Sequence, residues 1–100
     1  MGKYQVKLTS KARRDLEGIY AYIANALREQ GTAKNTADAL ENGILSLETM
    51  PYRCPERQRG IYANKGYRQL FVKNDTIVYR IDEASKTVIV VTVRYSRSDF

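Results

Sequence analysis

The spacing of apolar residues changes period twice along the chain. Lys3 to Leu8 alternates, with Tyr4, Val6 and Leu8 on one side and Gln5 and Lys7 on the other, the period of a half-buried strand. Thr9 or Ser10 can then cap a helix. Its apolar stripe runs Ala12, Leu16, Ile19, Tyr20, Ile23 and Leu27, which predicts about twenty residues of helix on one face. Gly31 is expected to end that helix and Thr32 to cap a second. The second stripe, Ala33, Ala37, Leu40, Ile44 and Leu47, closes at Met50-Pro51, because proline disfavours helical geometry in the residue before it. The short connection makes an αα-hairpin, and the small residues Ala24, Ala33 and Ala37 let its two helices approach closely.

Pro51 to Arg59, P-Y-R-C-P-E-R-Q-R, has no usable period and reads as a loop. Alternation then returns. Ile61 to Ala63, a turn at Asn64-Lys65-Gly66, Tyr67 to Val72, Thr76 to Ile81 and Thr87 to Tyr95 are joined by short polar connections, the pattern of an antiparallel meander. Thr87 to Val93 is almost wholly apolar or β-branched, so this strand is expected to be central and covered on both faces. The fold class is therefore α+β, in the order β-α-α-β-β-β(-β), with the αα-hairpin packed on one face of an antiparallel sheet. The first strand is expected to pair with the long last one. One hundred residues make a single domain, 1–100.

Composition narrows the chemistry. The chain has no histidine and a single cysteine, Cys54, which excludes an internal disulfide, Cys/His zinc sites and Cys/His or Ser/His catalysis. Neither a membrane-length apolar run nor the apolar stretch of a signal peptide is present, so the expected location is the cytoplasm. Net charge is +6, and it is unevenly placed. Residues 1–50 hold seven basic and six acidic side chains, residues 51–100 ten and five. Ten of the seventeen cations are arginine, whose planar donor fork suits phosphate. A polyanion or an acidic protein is the natural partner class.

Several of these arginines stand on strands. Arg68 shares a face with Leu70 and Val72, and Arg80 shares one with Val78, while Arg94 and Tyr95 take opposite faces of the last strand. If the polar-bearing faces coincide, Arg68, Arg80 and one of Arg94 or Tyr95 cluster beside the Pro51–Arg59 loop. A solvated sheet face would carry the same residues. A phosphate site would use the arginines for electrostatic stabilisation, with Tyr95, Tyr62 or Glu56 left to move protons and tyrosine rings to stack on bases.

Five segments, in order, bear a family likeness. They are Y-Q-V-K-L-T-S-K-A-R-R-D-L-E-G-I-Y-A-Y-I at Tyr4 to Ile23, L-E-T-M-P at Leu47 to Pro51, G-Y-R-Q-L-F-V at Gly66 to Val72, I-V-Y-R-I-D-E at Ile77 to Glu83, and the closing V-R-Y-S-R-S-D. Through them the whole chain resembles the RelE/ParE superfamily, the toxins of bacterial type II toxin–antitoxin modules. The resemblance implies a basic concave sheet face opposite the helices and a cognate antitoxin that wraps the surface. It implies one of two activities: RelE-like, metal-independent mRNA cleavage on the ribosome, or ParE-like inhibition of DNA gyrase.

For the nuclease activity the resemblance implies Arg68, in G-Y-R, at the scissile phosphate and Arg97 near a second basic position; Tyr95 or Tyr62 would have to substitute as the proton carrier. Arg53, Arg57, Arg59, Lys65, Arg80 and Arg94 would bind RNA, with no cofactor or metal. The chain departs from that pattern in three ways. It lacks the C-terminal histidine of some nuclease branches, it stops at Phe100 before the segment that carries a catalytic tyrosine in others, and Arg59 and Lys65 stand for an expected lysine pair. The long hairpin leans toward the ParE-like branch, whereas the basic excess on the sheet half favours RNA cleavage. A copy that retains antitoxin binding without toxicity is the third reading.

Overall fold

The structure, a computed structural model, describes residues 3–26 and 28–97. The chain forms β1 (Gln5–Leu8), α1 (Ser10–Ala21), a π-helical turn (Tyr22–Ala26), α2 (Gln30–Ser46), a short 3₁₀ turn (Pro51–Arg53), β2 (Arg68–Val72), β3 (Asp75–Asp82) and β4 (Thr87–Tyr95). The two helices cover one face of a four-stranded sheet of order β1-β4-β3-β2. As the apolar run predicts, β4 is central and pairs with β1. The β2-β3-β4 meander is antiparallel, but β1 runs parallel to β4, so the sheet is mixed rather than antiparallel.

The direction of β1 follows from the helical hairpin. α2 carries the chain back to the end of the sheet where β1 begins, and there the Tyr4 N–H donates to the Glu48 carbonyl at 2.7 Å. β2 therefore sets out in the same direction as β1. Two hairpin reversals later, β4 does too.

Thr9 caps α1 as its residue type predicts: its Oγ1 accepts from the Ala12 N–H at 3.1 Å. The helical turn between α1 and α2 comes earlier than the sequence suggests. Arg28, at φ 54°, reverses the chain, and Glu29 occupies the N-cap of α2 without a side-chain bond. Gly31 and Thr32, expected to punctuate the hairpin, instead lie within the first turn of α2. Leu27 of the predicted stripe lies outside the described residues.

Ile61–Ala63, expected to be extended, is a turn. Gly60, Asn64 and Gly66 all have positive φ, and the Ala63 N–H bonds back to Gly60 and the Asn64 N–H to Arg57, so the segment coils on itself.

The core joins Ala12, Leu16, Leu40, Ile44 and Leu47 of the helical layer to Ile77, Tyr79, Val88, Val90 and Val93 of the sheet. Near the β2 edge the layers come very close. A Cβ on Gly43 would stand 2.7 Å from Cγ2 of Val72, so glycine is what permits this approach. β4 extends past the end of β1, and side chains at the start of α1 take the place of a strand there. Thr9 donates its N–H to the Val90 carbonyl and its hydroxyl to that of Val91. Asp15 accepts from the Val93 N–H at 3.2 Å and from the Thr92 hydroxyl at 2.5 Å. Burial pushes the Asp15 carboxyl up, but the bonds from Thr92, Lys11 and Val93 outweigh it and hold the group below its usual range. Among the described residues no helix is long and apolar enough to cross a membrane.

Candidate functional site

Arg68 opens β2 and pairs with Tyr79, which puts it on the helix-packed face with Leu70 and Ile77. There its guanidinium meets the preceding loop rather than open solvent. Nη1 donates to the Cys54 carbonyl at 2.5 Å and to the Tyr52 carbonyl at 3.3 Å. The group lies 5.2 Å from the centre of the Tyr52 ring, and Nη2 stands 3.7 Å from Oε2 of Glu56. Glu56 and Arg68 also form a backbone bridge, and the Gln69 N–H bonds to the Pro55 carbonyl. Loop and strand are thus laced together, with 20% of the Arg68 side chain exposed.

The other sequence-predicted residues do not converge on Arg68. Tyr95 pairs with Asp75, which pairs with Val72, four positions along β2 from Arg68. That is about 13 Å along the strand direction at about 3.3 Å per residue. Arg97 follows Tyr95 and is exposed. Arg80 and Arg94 have the parity of Val78 and Thr76, so they belong to the opposite face from Arg68. The expected cluster therefore does not form: Arg80 and Arg94 lie across the sheet from Arg68, and Tyr95 lies four ladder positions away. Arg53 serves the helix instead: it donates to the carbonyls of Ser46 (3.3 Å) and Thr49 (3.0 Å) and to the Ser46 hydroxyl (2.8 Å), closing the C-terminal turn of α2.

The outer sheet face gathers a second group. Arg57 is buried and donates to Gln69 Oε1 at 2.8 Å; burial, and then repulsion from Arg59, lower its pKa. Arg80 is exposed on the same face as Gln69. Tyr62 and Tyr67 pack edge to face, with centroids 5.0 Å apart. Lys65 lies exposed in the intervening turn. This face, rather than the surroundings of Arg68, presents exposed positive charge from the loop and the sheet together.

Two groupings escaped the sequence reading. At the end of the sheet where β1 begins, Oε1 of Glu83 accepts from the hydroxyls of Tyr4 and Tyr52, each at 2.8 Å, and Oε2 meets Lys86 Nζ at 2.5 Å. Lys86, and then the tyrosine hydroxyls, hold the Glu83 carboxyl down at about 2, while Glu83 pushes both tyrosines up. Neither tyrosine is thereby suited to give up a proton near neutral pH. The partners are 79 and 31 residues from Glu83, and no local pattern could have joined them.

At the opposite end lies a groove of about 1070 Å³ between the π-helical turn, the start of α2, the β2–β3 turn and the end of β4. Ile19, Tyr22 and Ile23 line one wall, Thr32, Asn35 and Thr36 another, and Asp75, Arg94 and Tyr95 the floor and far side. Two predicted site residues, Arg94 and Tyr95, therefore belong to this groove.

A family model described as the ParE toxin of the type II toxin–antitoxin system parDE matches residues 6–100. The chain belongs to the ParE toxin family. Solved structures place its fold among the same proteins. A chain of the chromosomal ParDE system from P. aeruginosa superposes with a TM-score of 0.76 at 18% identity, over 95% of this chain and 98% of that one. The RelBE2 toxin–antitoxin complex from Mycobacterium tuberculosis gives a TM-score of 0.64 at 26% identity, over 95% and 93%. The archaeal RelE–RelB complex from Pyrococcus horikoshii gives 0.62 at 12%, over 96% and 99%. A search of curated protein sequences gives no significant match. As a ParE-family toxin the chain shares one architecture with RelE-type proteins, so fold does not separate the two activities.

Proposed function

We propose that this toxin arrests growth by binding its target, DNA gyrase in the ParE-like manner, and does not cut RNA. The observation that carries this reading is the state of Arg68. Its guanidinium is held by the Cys54 and Tyr52 carbonyls, and Tyr95 stands four ladder positions away. In-line cleavage of RNA needs cationic stabilisation and proton transfer at one phosphate, within hydrogen-bond reach of each other. Arg68 and Tyr95 do not meet that requirement together. The family match to ParE toxins supports the same reading. The cytoplasm, where gyrase and DNA reside, is the expected location.

The proposed partner outside the target is a cognate antitoxin, as in the solved complexes of RelBE2 and of RelE with RelB. A basic chain of net charge +6 suits an acidic partner.

A second reading, ribosome-dependent mRNA cleavage, draws on the outer face, where Arg57, Arg59, Arg80 and Lys65 accompany the Tyr62–Tyr67 pair. Induction of the toxin separates the two. Gyrase inhibition gives loss of supercoiling and a DNA-damage response with intact mRNA. Primer extension that shows ribosome-dependent cuts within codons, with normal supercoiling, would overturn the gyrase reading in favour of cleavage.

A further inference from the structure

The sheet sorts charge by face. Val6 and Leu8 pack against the core, so Lys7 between them turns outward. Lys7 of β1 and Arg80 of β3 both pair with Ile89 of β4, which sets the two exposed cations on either side of one residue, about 10 Å apart across three strands. The loop before β2 adds to this stripe. Arg57 reaches Gln69 of the outer face, and exposed Arg59 stands close enough to lower the Arg57 pKa, after burial. Exposed Lys65 follows Asn64, whose N–H bonds to the Arg57 carbonyl.

The carboxylates of this half of the chain go elsewhere. Glu56 faces Arg68, Glu83 is taken up by Tyr4, Tyr52 and Lys86, and Asp75 has the parity of the core residues Ile77 and Tyr79. Among the described strand residues, Asp82 is the one carboxylate with the parity of Arg80. A surface that gathers cations and turns acids away attracts a polyanion.

The aromatic residues indicate which polyanion. Readers of single strands interleave cations with rings on which unstacked bases lie. Here Tyr62 and Tyr67 are half-buried and packed edge to face on each other. The exposed ring of this face, Phe71, pairs with Thr76, four residues along β3 from Arg80 and about 13 Å away. The cations thus stand apart from any open stacking platform. A duplex backbone, with its unbroken rows of phosphate, needs no such platform.

We propose that the outer sheet face binds the phosphate backbone of duplex DNA, without sequence preference, through Lys7, Arg59, Lys65 and Arg80. The toxin would then hold its target and the DNA on that target together. The inference rests on the gyrase reading for where this DNA is met, and not for the contact itself.

The test is fluorescence anisotropy of a labelled mixed-sequence duplex titrated with the full-length chain, made by cell-free synthesis, in the absence of gyrase. Four phosphate contacts give a log–log salt slope of about −3.6, or roughly a hundredfold weaker binding at 200 mM than at 50 mM salt. Lys7→Gln, Arg59→Gln and Arg80→Gln should each make the slope shallower by about 0.9. Arg13→Gln removes the same charge from an exposed position on α1 and should leave the slope unchanged. Amide shift changes on the unmutated protein should map to Lys7, Arg80 and Ile89, a readout that needs no variant to fold. No binding at 50 mM salt, equal losses in Arg13→Gln and Arg80→Gln, or tighter binding of single-stranded RNA than of the duplex would each overturn the proposal. Duplex binding by a toxin that leaves supercoiling intact would uphold the DNA-binding face and refute gyrase as the target. Gyrase inhibition undiminished in a triple Lys7, Arg59 and Arg80 to glutamine variant that no longer binds the duplex would do the reverse.

Discussion

Arg68 Nη1 lies 2.5 Å from the carbonyl oxygen of Cys54, fourteen residues earlier in the chain. The contact converts what reads in the sequence as a surface cation into a tie between β2 and the loop that follows the 3₁₀ turn. Charged hydrogen bonds of this kind contribute roughly 1.5–3 kcal/mol each, and an arginine shared by two carbonyls and a tyrosine ring is costly to remove. Arg68→Ala should therefore lower unfolding stability by about 2 kcal/mol, measured by chemical denaturation. Arg68→Lys should recover part of that loss but not all, because a single ammonium cannot reproduce the planar fork. A fully stable Arg68→Ala that has lost toxicity would return Arg68 to the role of a target-facing residue.

Gly43 and Gly18 both stand on helices, yet they predict opposite results. Nothing lies within 4 Å of a Cβ on Gly18, so Gly18→Ala gains the helix propensity of alanine, about 0.5–1 kcal/mol. A Cβ on Gly43 would stand 2.7 Å from Val72 Cγ2, and overpacking costs roughly 1–3 kcal/mol. Gly43→Ala should therefore be destabilising despite the same propensity gain. In a Val72→Ala background the clash is gone, and Gly43→Ala should no longer destabilise. Thermal unfolding of the four proteins measures this coupling.

Which parts of this structure could be read from the sequence depends on how local their causes are. The α1 stripe and the Thr9 cap were legible because helix period and capping chemistry act within four residues. β4 was recognisable as central because a strand this apolar cannot sit at an edge. The direction of β1 was not legible, since it depends on α2 returning to Tyr4, more than forty residues on. The position of Arg68 was half legible. Alternation placed it with Leu70 and Val72, but only the Arg68–Tyr79 register put that face under the helices and the Cys54 carbonyl over the guanidinium. Asp75 read as part of a turn. Its burial arises from the groove, where four separate segments meet.

Asp15 replaces a missing strand beside β4. It accepts the Val93 N–H and the Thr92 hydroxyl, and both residues are essentially fully buried. Asp15→Ala would leave both donors unmatched at a cost of about 2–3 kcal/mol. Asp15→Asn keeps an acceptor oxygen and should cost less, although it loses the charge that Lys11 meets at 3.0 Å. Hydrogen exchange offers a local check. The Val93 amide should lose protection in Asp15→Ala before the amides of Val88 and Val90, which β1 covers. Uniform loss along β4 would show that Asp15 acts on global stability rather than on this edge.

Glu83 and Asp75 shift in opposite directions, so acid should act on them oppositely. Glu83 is held at about 2, below its usual 4.5, so the unfolded chain takes up its proton first as pH falls. Its contribution is complete above about pH 4.5 and is lost between there and about pH 2. Glu83→Gln should be less stable than the native chain at pH 7, and the gap should close over that window. Asp75 is raised above its usual 3.8, so the folded chain takes up its proton first. Ionisation of Asp75 costs stability as pH rises through the raised value, and that cost is absent below about pH 3.8. Asp75→Asn should therefore be the more stable protein at pH 7 and match the native chain in strong acid. Denaturant midpoints from pH 2 to 7 for the three proteins measure both trends. An Asp75→Asn variant that is less stable at neutral pH would mean that the ionised carboxylate makes a favourable contact in the folded chain that outweighs the cost of its burial.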